Sequence, residues 1–188
     1  MRLFVAADLD EEASRALEER ARKLVRRAEA AGWRASWVKP DVIHLTLKFL
    51  GEVPEAKTAP IQEALAAALA PAHSFPLLID GLGTFPPHGR PKVLFLALRD
   101  GGREATELAS RVEGALGPLG FPAEGRPFHP HLTLGRVKKA PKDGLALLGK
   151  EPVSLAGRVT GVTLFRSFLD PGGARHVPVR RIVFPLPG

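Results

Sequence analysis

Apolar residues recur along the chain at two spacings, and the switches between them lay out the elements. Leu3, Phe4 and Val5 predict a strand over residues 2–7. Ala13, Leu17, Ala21, Leu24, Val25 and Ala28 then return every three or four residues, which is the period of one helix face. Asp10 stands where a helix cap belongs, Glu11 and Glu12 suit the first turn, and Gly32 supplies the stop. A short strand follows over 34–39, a turn at Pro40-Asp41, and a longer strand over 42–50. Pro54 opens a second helix, with Ile61, Leu65, Ala68 and Leu69 on its apolar side and Pro71 at its end. Residues 75–82 predict a strand, and 83–91 (GTFPPHGRP) a Gly- and Pro-rich loop.

The second half repeats the order. Residues 92–98 predict a strand, and Ala105, Leu108, Val112 and Leu116 mark a helix over 103–116. A loop over 120–130 leads to a strand over 131–137. Residues 138–149 mix a basic turn with a short helix. Strands over 153–165 and 177–186 flank a turn at Gly172-Gly173. The stretch Arg2-Leu-Phe-Val-Ala-Ala-Asp8 is similar to Val93-Leu-Phe-Leu-Ala-Leu-Arg-Asp100. Each is followed by an amphipathic helix and then by a strand with the sequence His-Leu-Thr-Leu. Phe4 stands 40 residues before His44, and Phe95 stands 36 before His131. That is the spacing of a duplicated half. Strands are too many and helices too few for a regular alternating parallel sheet. The expected fold is therefore α+β and duplicated about a pseudo-twofold, with mostly antiparallel β-sheets lining a central cleft and helices outside. We expect a single domain over 1–188, built from two lobes of about 1–90 and 91–188, with terminal strands exchanged between them.

Composition narrows the chemistry. No cysteine is present in the 188 residues, which excludes disulfides, thiolate nucleophiles and Cys-based zinc sites. Asparagine is absent and Met1 and Gln62 are single, a depletion that suits a heat-adapted protein and equally the Arg, Ala, Gly and Pro bias of a GC-rich genome. The formal net charge of +7 favours an anionic partner. The lysines and arginines are scattered, so a modest basic surface around a small site is expected rather than a long nucleic-acid channel. No apolar run is long enough to span a membrane, and the N-terminus does not read as a signal peptide. The expected setting is the cytoplasm.

The two His-Leu-Thr-Leu strands carry the candidate chemistry. Side chains alternate along a strand, so His44 and Thr46 share one face and Leu45 and Leu47 the other. His131 and Thr133 stand in the same way against Leu132 and Leu134. One such histidine is ordinarily structural. Two at equivalent places of a repeat predict a shared site. Two imidazoles and two hydroxyls suit phosphoryl transfer without a metal. A neutral imidazole accepts a proton from water, and a protonated one across the site donates to the leaving oxygen. In-line displacement needs these two positions on opposite faces of phosphorus, and threonine hydroxyls can donate to the non-bridging oxygens.

The paired His-x-Thr-x motifs, with x apolar, resemble the signature of the 2H phosphoesterases. The match extends to Arg2-Leu-Phe-Val-Ala, to His44-Leu-Thr-Leu-Lys-Phe-Leu-Gly51, to Phe128-His-Pro-His-Leu-Thr-Leu-Gly-Arg136, and to Leu164-Phe-Arg-Ser-Phe168 with Gly173-Ala-Arg. With these flanks the chain resembles the bacterial and archaeal RNA 2′,3′-cyclic phosphodiesterase branch, historically called 2′-5′ RNA ligase. The resemblance implies hydrolysis of a terminal 2′,3′-cyclic phosphate to a 2′-phosphate, with His44 as proton donor and His131 as proton acceptor. It implies phosphate binding by Thr46 and Thr133, RNA ends (tRNA fragments among them) as partners, no cofactor or metal, and 2′-5′ joining as the reverse reaction. A monomer is the simpler expectation, since both motifs come from one chain, and no obligate protein partner is expected.

Further candidates are less specific. Arg136 follows the second motif, but strict alternation puts it on the leucine face. Arg126 and Arg90 stand in loops, where they can meet phosphate. Phe128 can stack on a base or pack in the core. Lys48 shares the His44 face by alternation and would add positive potential. Trp33 and Trp37 default to packing, and His129 to a structural or surface role. Three rivals stand beside the catalytic reading. One is a metal site drawing on His44, His131, His88, His129 and His176. The others are a non-catalytic RNA-binding module and a phosphoesterase acting on small cyclic nucleotides or 2′-5′ oligonucleotides.

Overall fold

The computed structural model describes residues 1–149, 153–170 and 173–188. The chain begins with strand β1 (Arg2–Leu9) and helix α1 (Glu11–Ala30). Asp10 caps α1: its Oδ1 accepts from the Ala13 N–H at 2.8 Å, satisfying one of the free donors of the first turn. The buried face of α1 is Ala13, Leu17, Ala21, Leu24 and Ala28, as the periodicity predicts. Strands β2 (Arg34–Trp37), β3 (Leu45–Glu52) and helix α2 (Thr58–Leu69) follow. Then come β4 (Phe75–Phe85), β5 (Val93–Asp100), α3 (Gly102–Leu116), β6 (His131–Lys139), α4 (Gly144–Leu148), β7 (Ser154–Asp170) and β8 (Gly173–Val183).

Among the described residues every strand pairing is antiparallel. β1 pairs with β3 and β7, β3 with β6, β6 with β5, β5 with β4, and β4 with β7. Six strands therefore close into a ring. β2 extends it at β6, and β8 extends it at β7. The closure removes all edges from those six strands. α1 packs on β7, α3 on β3, and α2 on α3. Leu3, Val5, Leu45, Leu47, Leu94, Leu96, Leu132, Leu134, Val162 and Leu164 belong to one continuous buried core. A fully buried leucine in such a core contributes roughly 1.5–3 kcal/mol by its transfer from water.

Several boundaries differ from the sequence reading. The strand expected over 42–50 begins only at Leu45, because Pro40–Val42 forms a 3-10 turn. The helix expected at Pro54 starts at Thr58, after a 3-10 turn at Glu55–Lys57. β4 runs on to Phe85 through the predicted loop, since Gly83, Thr84 and Phe85 pair with Phe95, Leu94 and Val93. β7 extends to Asp170, and β8 spans Gly173–Val183 rather than 177–186. Gly173 opens β8, and Gly172, the other half of the expected turn, lies outside the described residues.

Candidate active site

β3 and β6 meet at one register pair, Leu45 opposite Leu132. Residues opposite one another in an antiparallel pair project to the same face, and alternation turns their neighbours to the other. Leu45 and Leu132 go to the core, with 0% and 1% exposure. His44, Thr46, His131 and Thr133 are then all turned to the opposite face. His44 and His131 are diagonal neighbours about this pair, a relation that spans about 7–8 Å in a regular ladder.

Both motif strands carry a bulge at the same place. Thr46 and Lys48 oppose the adjacent residues Ala6 and Val5 of β1, so Leu47 is extra. Thr133 and Gly135 oppose the adjacent Phe95 and Leu94 of β5, so Leu134 is extra. An extra residue reverses the alternation beyond it. Two expectations change as a result. Lys48 leaves the histidine face and turns inward, 3% exposed, with Nζ 3.2 Å from Glu113 Oε1 and 2.8 Å from the Pro122 carbonyl. Arg136 moves the other way. It opposes Val93 as Thr133 opposes Phe95 and His131 opposes Ala97, which puts it on the histidine face, exposed to solvent. Phe49 is its counterpart in β3, opposite Phe4 and 62% exposed. Sequence reading missed Phe49. It stands five residues after His44 as Arg136 stands five after His131, a count that strict alternation obscures.

Aromatic rings hold both imidazoles. His44 stacks on Phe4 at 4.7 Å between centroids, and Phe4 stacks on Phe165 at 5.2 Å. His131 makes T-shaped contacts with Phe85 and Phe95 at 5.0 and 5.2 Å between centroids, and these two rings stack at 4.4 Å. The two sides differ in ring geometry, stacked at His44 and T-shaped at His131, and in a neighbouring imidazole. His176 of β8 lies edge-on to His44 at 5.3 Å and to Phe4 at 4.8 Å.

Each imidazole is oriented in the same way by the backbone. His44 Nδ1 lies 2.7 Å from the Val42 carbonyl, and His131 Nδ1 lies 2.7 Å from the His129 carbonyl. A carbonyl oxygen only accepts, so Nδ1 carries the hydrogen and donates in both. Nε2 is thereby the atom that gains or loses a proton. Burial pushes the His44 pKa down to about 4, against the pull of the Val42 carbonyl, and His176 lowers it further. Burial also lowers His131, again opposed by its carbonyl partner. Both shifts favour the neutral imidazole in the unliganded protein.

A pocket of about 470 Å³ opens beside His44. Phe165, His176, Asp8, Asp41 and Arg181 are among the residues that line it, and neither His131 nor the two threonines reach it. Asp8 is fixed there by the Thr163 hydroxyl at 2.8 Å and Arg181 Nε at 3.2 Å.

The remaining candidates lie farther out. Arg126 is exposed on the segment before β6, in a groove against α3. Arg90 is exposed between β4 and β5, and its Nη2 donates to the Lys138 carbonyl at 3.1 Å. Phe128 is half-buried against the core. His129 is exposed, in T-shaped contact with Phe85 at 5.4 Å. Trp33 is buried, and Trp37 Nε1 donates to Glu29 Oε1 at 3.0 Å. Among the described residues, no group of three or more His, Asp or Glu side chains converges as a metal site. His176 lies beside His44 and His129 beside His131, whereas His88 is exposed in the loop between β4 and β5. No helix among the described residues is long and apolar enough to cross a membrane.

The model of the LigT-like phosphoesterases matches the chain twice, over residues 8–95 and 96–176. The chain belongs to the LigT-like phosphoesterase family. Each match contains one His-Leu-Thr-Leu motif. An Archaeoglobus fulgidus protein named RNA 2′,3′-cyclic phosphodiesterase is 34% identical over 183 residues, covering 96% of this chain and 98% of that one. The crystal structure of TT0787 from Thermus thermophilus superposes with a TM-score of 0.78 at 34% identity, covering 99% of both chains. Escherichia coli LigT in complex with 3′-AMP gives 0.76 at 27% identity, covering 97% of both.

Proposed function

We propose that the chain hydrolyses RNA 2′,3′-cyclic phosphate ends to 2′-phosphates. The observation that carries this reading is the arrangement about Leu45 and Leu132. It turns two His-Thr pairs to one face, and each Nδ1 is tied to a carbonyl two residues back. The phosphoryl group sits between the two rings. His131 Nε2 accepts a proton from water as the water oxygen attacks phosphorus. The bond from phosphorus to the 3′-oxygen breaks, and Nε2–H of His44 protonates that oxygen. The products are a 2′-phosphate and a 3′-hydroxyl. A proton passes between the histidines through solvent to reset the site.

The donor role requires a protonated His44, which burial disfavours in the free protein. A bound phosphate anion at hydrogen-bonding distance raises an imidazole pKa, so the substrate itself recruits the proton. Thr46 and Thr133 donate to the non-bridging oxygens. Arg136 supplies positive charge beside His131, and Phe49 offers an exposed ring beside His44 on which a base can stack. Arg126, Arg90 and Phe128 contact the RNA farther from the phosphate. Attack by a 5′-hydroxyl in place of water gives a 2′-5′ linkage, the ligation direction.

The substrate class rests on relatives that carry the name RNA 2′,3′-cyclic phosphodiesterase across nearly their whole length. The two-lobed reading, about 1–90 and 91–188 around a central cleft with terminal strands exchanged, is supported by the double family match and the paired bulges. We place the enzyme in the cytoplasm, as a monomer that needs neither metal nor nucleotide cofactor, acting on cleaved RNA ends such as those of tRNA fragments.

The test is direct. A short RNA ending in a 2′,3′-cyclic phosphate is incubated with protein stripped of metal by exhaustive chelation, and the product end is identified. A 2′-phosphate is expected. A 3′-phosphate product, or activity that returns only with added metal, contradicts the proposal.

A further inference from the structure

Lys48 stands in β3, two residues after Thr46, yet it faces away from the site. Its side chain is 3% exposed, and Nζ meets Glu113 Oε1 at 3.2 Å and the Pro122 carbonyl at 2.8 Å. The same Glu113 oxygen accepts the Glu124 backbone N–H at 2.9 Å. That N–H and, after it, Lys48 hold the Glu113 carboxyl below its usual pKa. One buried ammonium thus fixes two points of the segment that leads into β6. From Pro122 to Pro130 this segment forms neither helix nor strand. It carries Arg126 and Phe128 and, near its end, His129, whose contact with His131 Nδ1 is local to the start of β6 and separate from the Lys48 anchor at Pro122 and Glu124.

Stability alone does not account for the arrangement. An apolar residue of similar volume would fill the space under α3, and buried ion pairs are commonly no more stabilising than such a replacement. What an apolar residue cannot supply is a directed bond to the Pro122 carbonyl and to the carboxylate that holds Glu124. Lys57 adds a second tether just upstream, with Nζ 3.0 Å from the Leu119 carbonyl and 5.6 Å from the Phe121 ring centroid. Lys48 is the one that joins the strand of the first motif to the approach of the second.

We infer that Lys48 is a positioning residue, which anchors the 122–130 segment so that Arg126 and Phe128 stand ready for the RNA chain beyond its terminal nucleotide. The inference rests on the RNA-end reading above. It predicts a split between substrates. A mononucleotide 2′,3′-cyclic phosphate ends at the catalytic pairs and does not reach the anchored segment, whereas an RNA of several nucleotides does.

Lys48→Met is assayed on both substrates, and amide hydrogen exchange is followed over residues 121–129. We expect faster exchange there, a KM for the RNA raised roughly tenfold at nearly constant kcat, and mononucleotide turnover within about twofold of wild type. Equal losses on both substrates would mark a general structural role and overturn the inference. So would unchanged exchange together with unchanged KM. If Lys48→Met does not fold, Glu113→Ala removes the shared acceptor from a partly exposed helix position. It must then show the same split, and its absence counts against the inference. A wild-type protein inactive on both substrates refutes the catalytic reading instead. Exchange and direct RNA titration then still decide whether Lys48 anchors an RNA-contacting segment.

Discussion

Phe95 lies directly over Gly83, so close that a Cβ on Gly83 would stand 2.4 Å from the Phe95 ring. The two residues pair across β4 and β5. The missing side chain is what lets the ring lie there, stacked on Phe85 and in T-shaped contact with His131. Gly83→Ala must push the ring off this position. Overpacking of this kind costs about 1–3 kcal/mol. Denaturant titration should show that loss, and kcat should fall by more than the unfolded fraction explains. Full activity in a destabilised but folded variant would show that the ring does not position His131.

Acid should destabilise the protein through its histidines. The His44 pKa is near 6.5 unfolded and about 4 folded. Between those values the unfolded chain binds more protons, so stability falls as pH falls through that window and is fully present above it. His131 acts in the same direction. For His44 the full difference amounts to at most about 3 kcal/mol. His44→Gln should flatten the slope of unfolding free energy between pH 6.5 and 4. An unchanged slope would mean that His44 is solvated in the folded state.

Arg136 should act on binding. Its side chain is exposed on the histidine face, where loss of a charge-assisted contact costs roughly 1.5–3 kcal/mol. Arg136→Met is expected to raise KM for the cyclic-phosphate RNA at least tenfold, with stability unchanged. Arg136→Lys should recover part of the loss, since it keeps the charge but not the planar fork. Wild-type KM in Arg136→Met would remove this residue from the substrate contacts.

Much of this site is legible in the chain, and the bulges mark where legibility ends. The motif repeat picks out His44, Thr46, His131 and Thr133, and alternation assigns each its face. Alternation then misplaces Lys48 and Arg136, because an extra residue at Leu47 or Leu134 is visible only as a register shift against β1 or β5. The aromatic supports are hidden for a similar reason. Phe4 and Phe95 stand out as markers of the repeat, but Phe85 falls inside a Gly- and Pro-rich stretch that reads as loop. Its strand character comes from pairing with Val93. The acidic cap at Asp10 is local, and residue identity alone reveals it. The imidazole partners at Val42 and His129 are backbone carbonyls, which leave no trace in residue identity.

The central claim is that His44 and His131 act as one acid–base unit on a single phosphoryl group. Single-turnover rates on a cyclic-phosphate RNA, measured for His44→Ala, His131→Ala and the double variant with folding checked by denaturant titration, test it most directly. Each single substitution should slow the reaction about 10²–10⁴-fold. The double variant should be no slower than the worse single, as for groups that work together. A near-wild-type rate in either single variant, or losses that multiply in the double, would contradict the two-histidine mechanism.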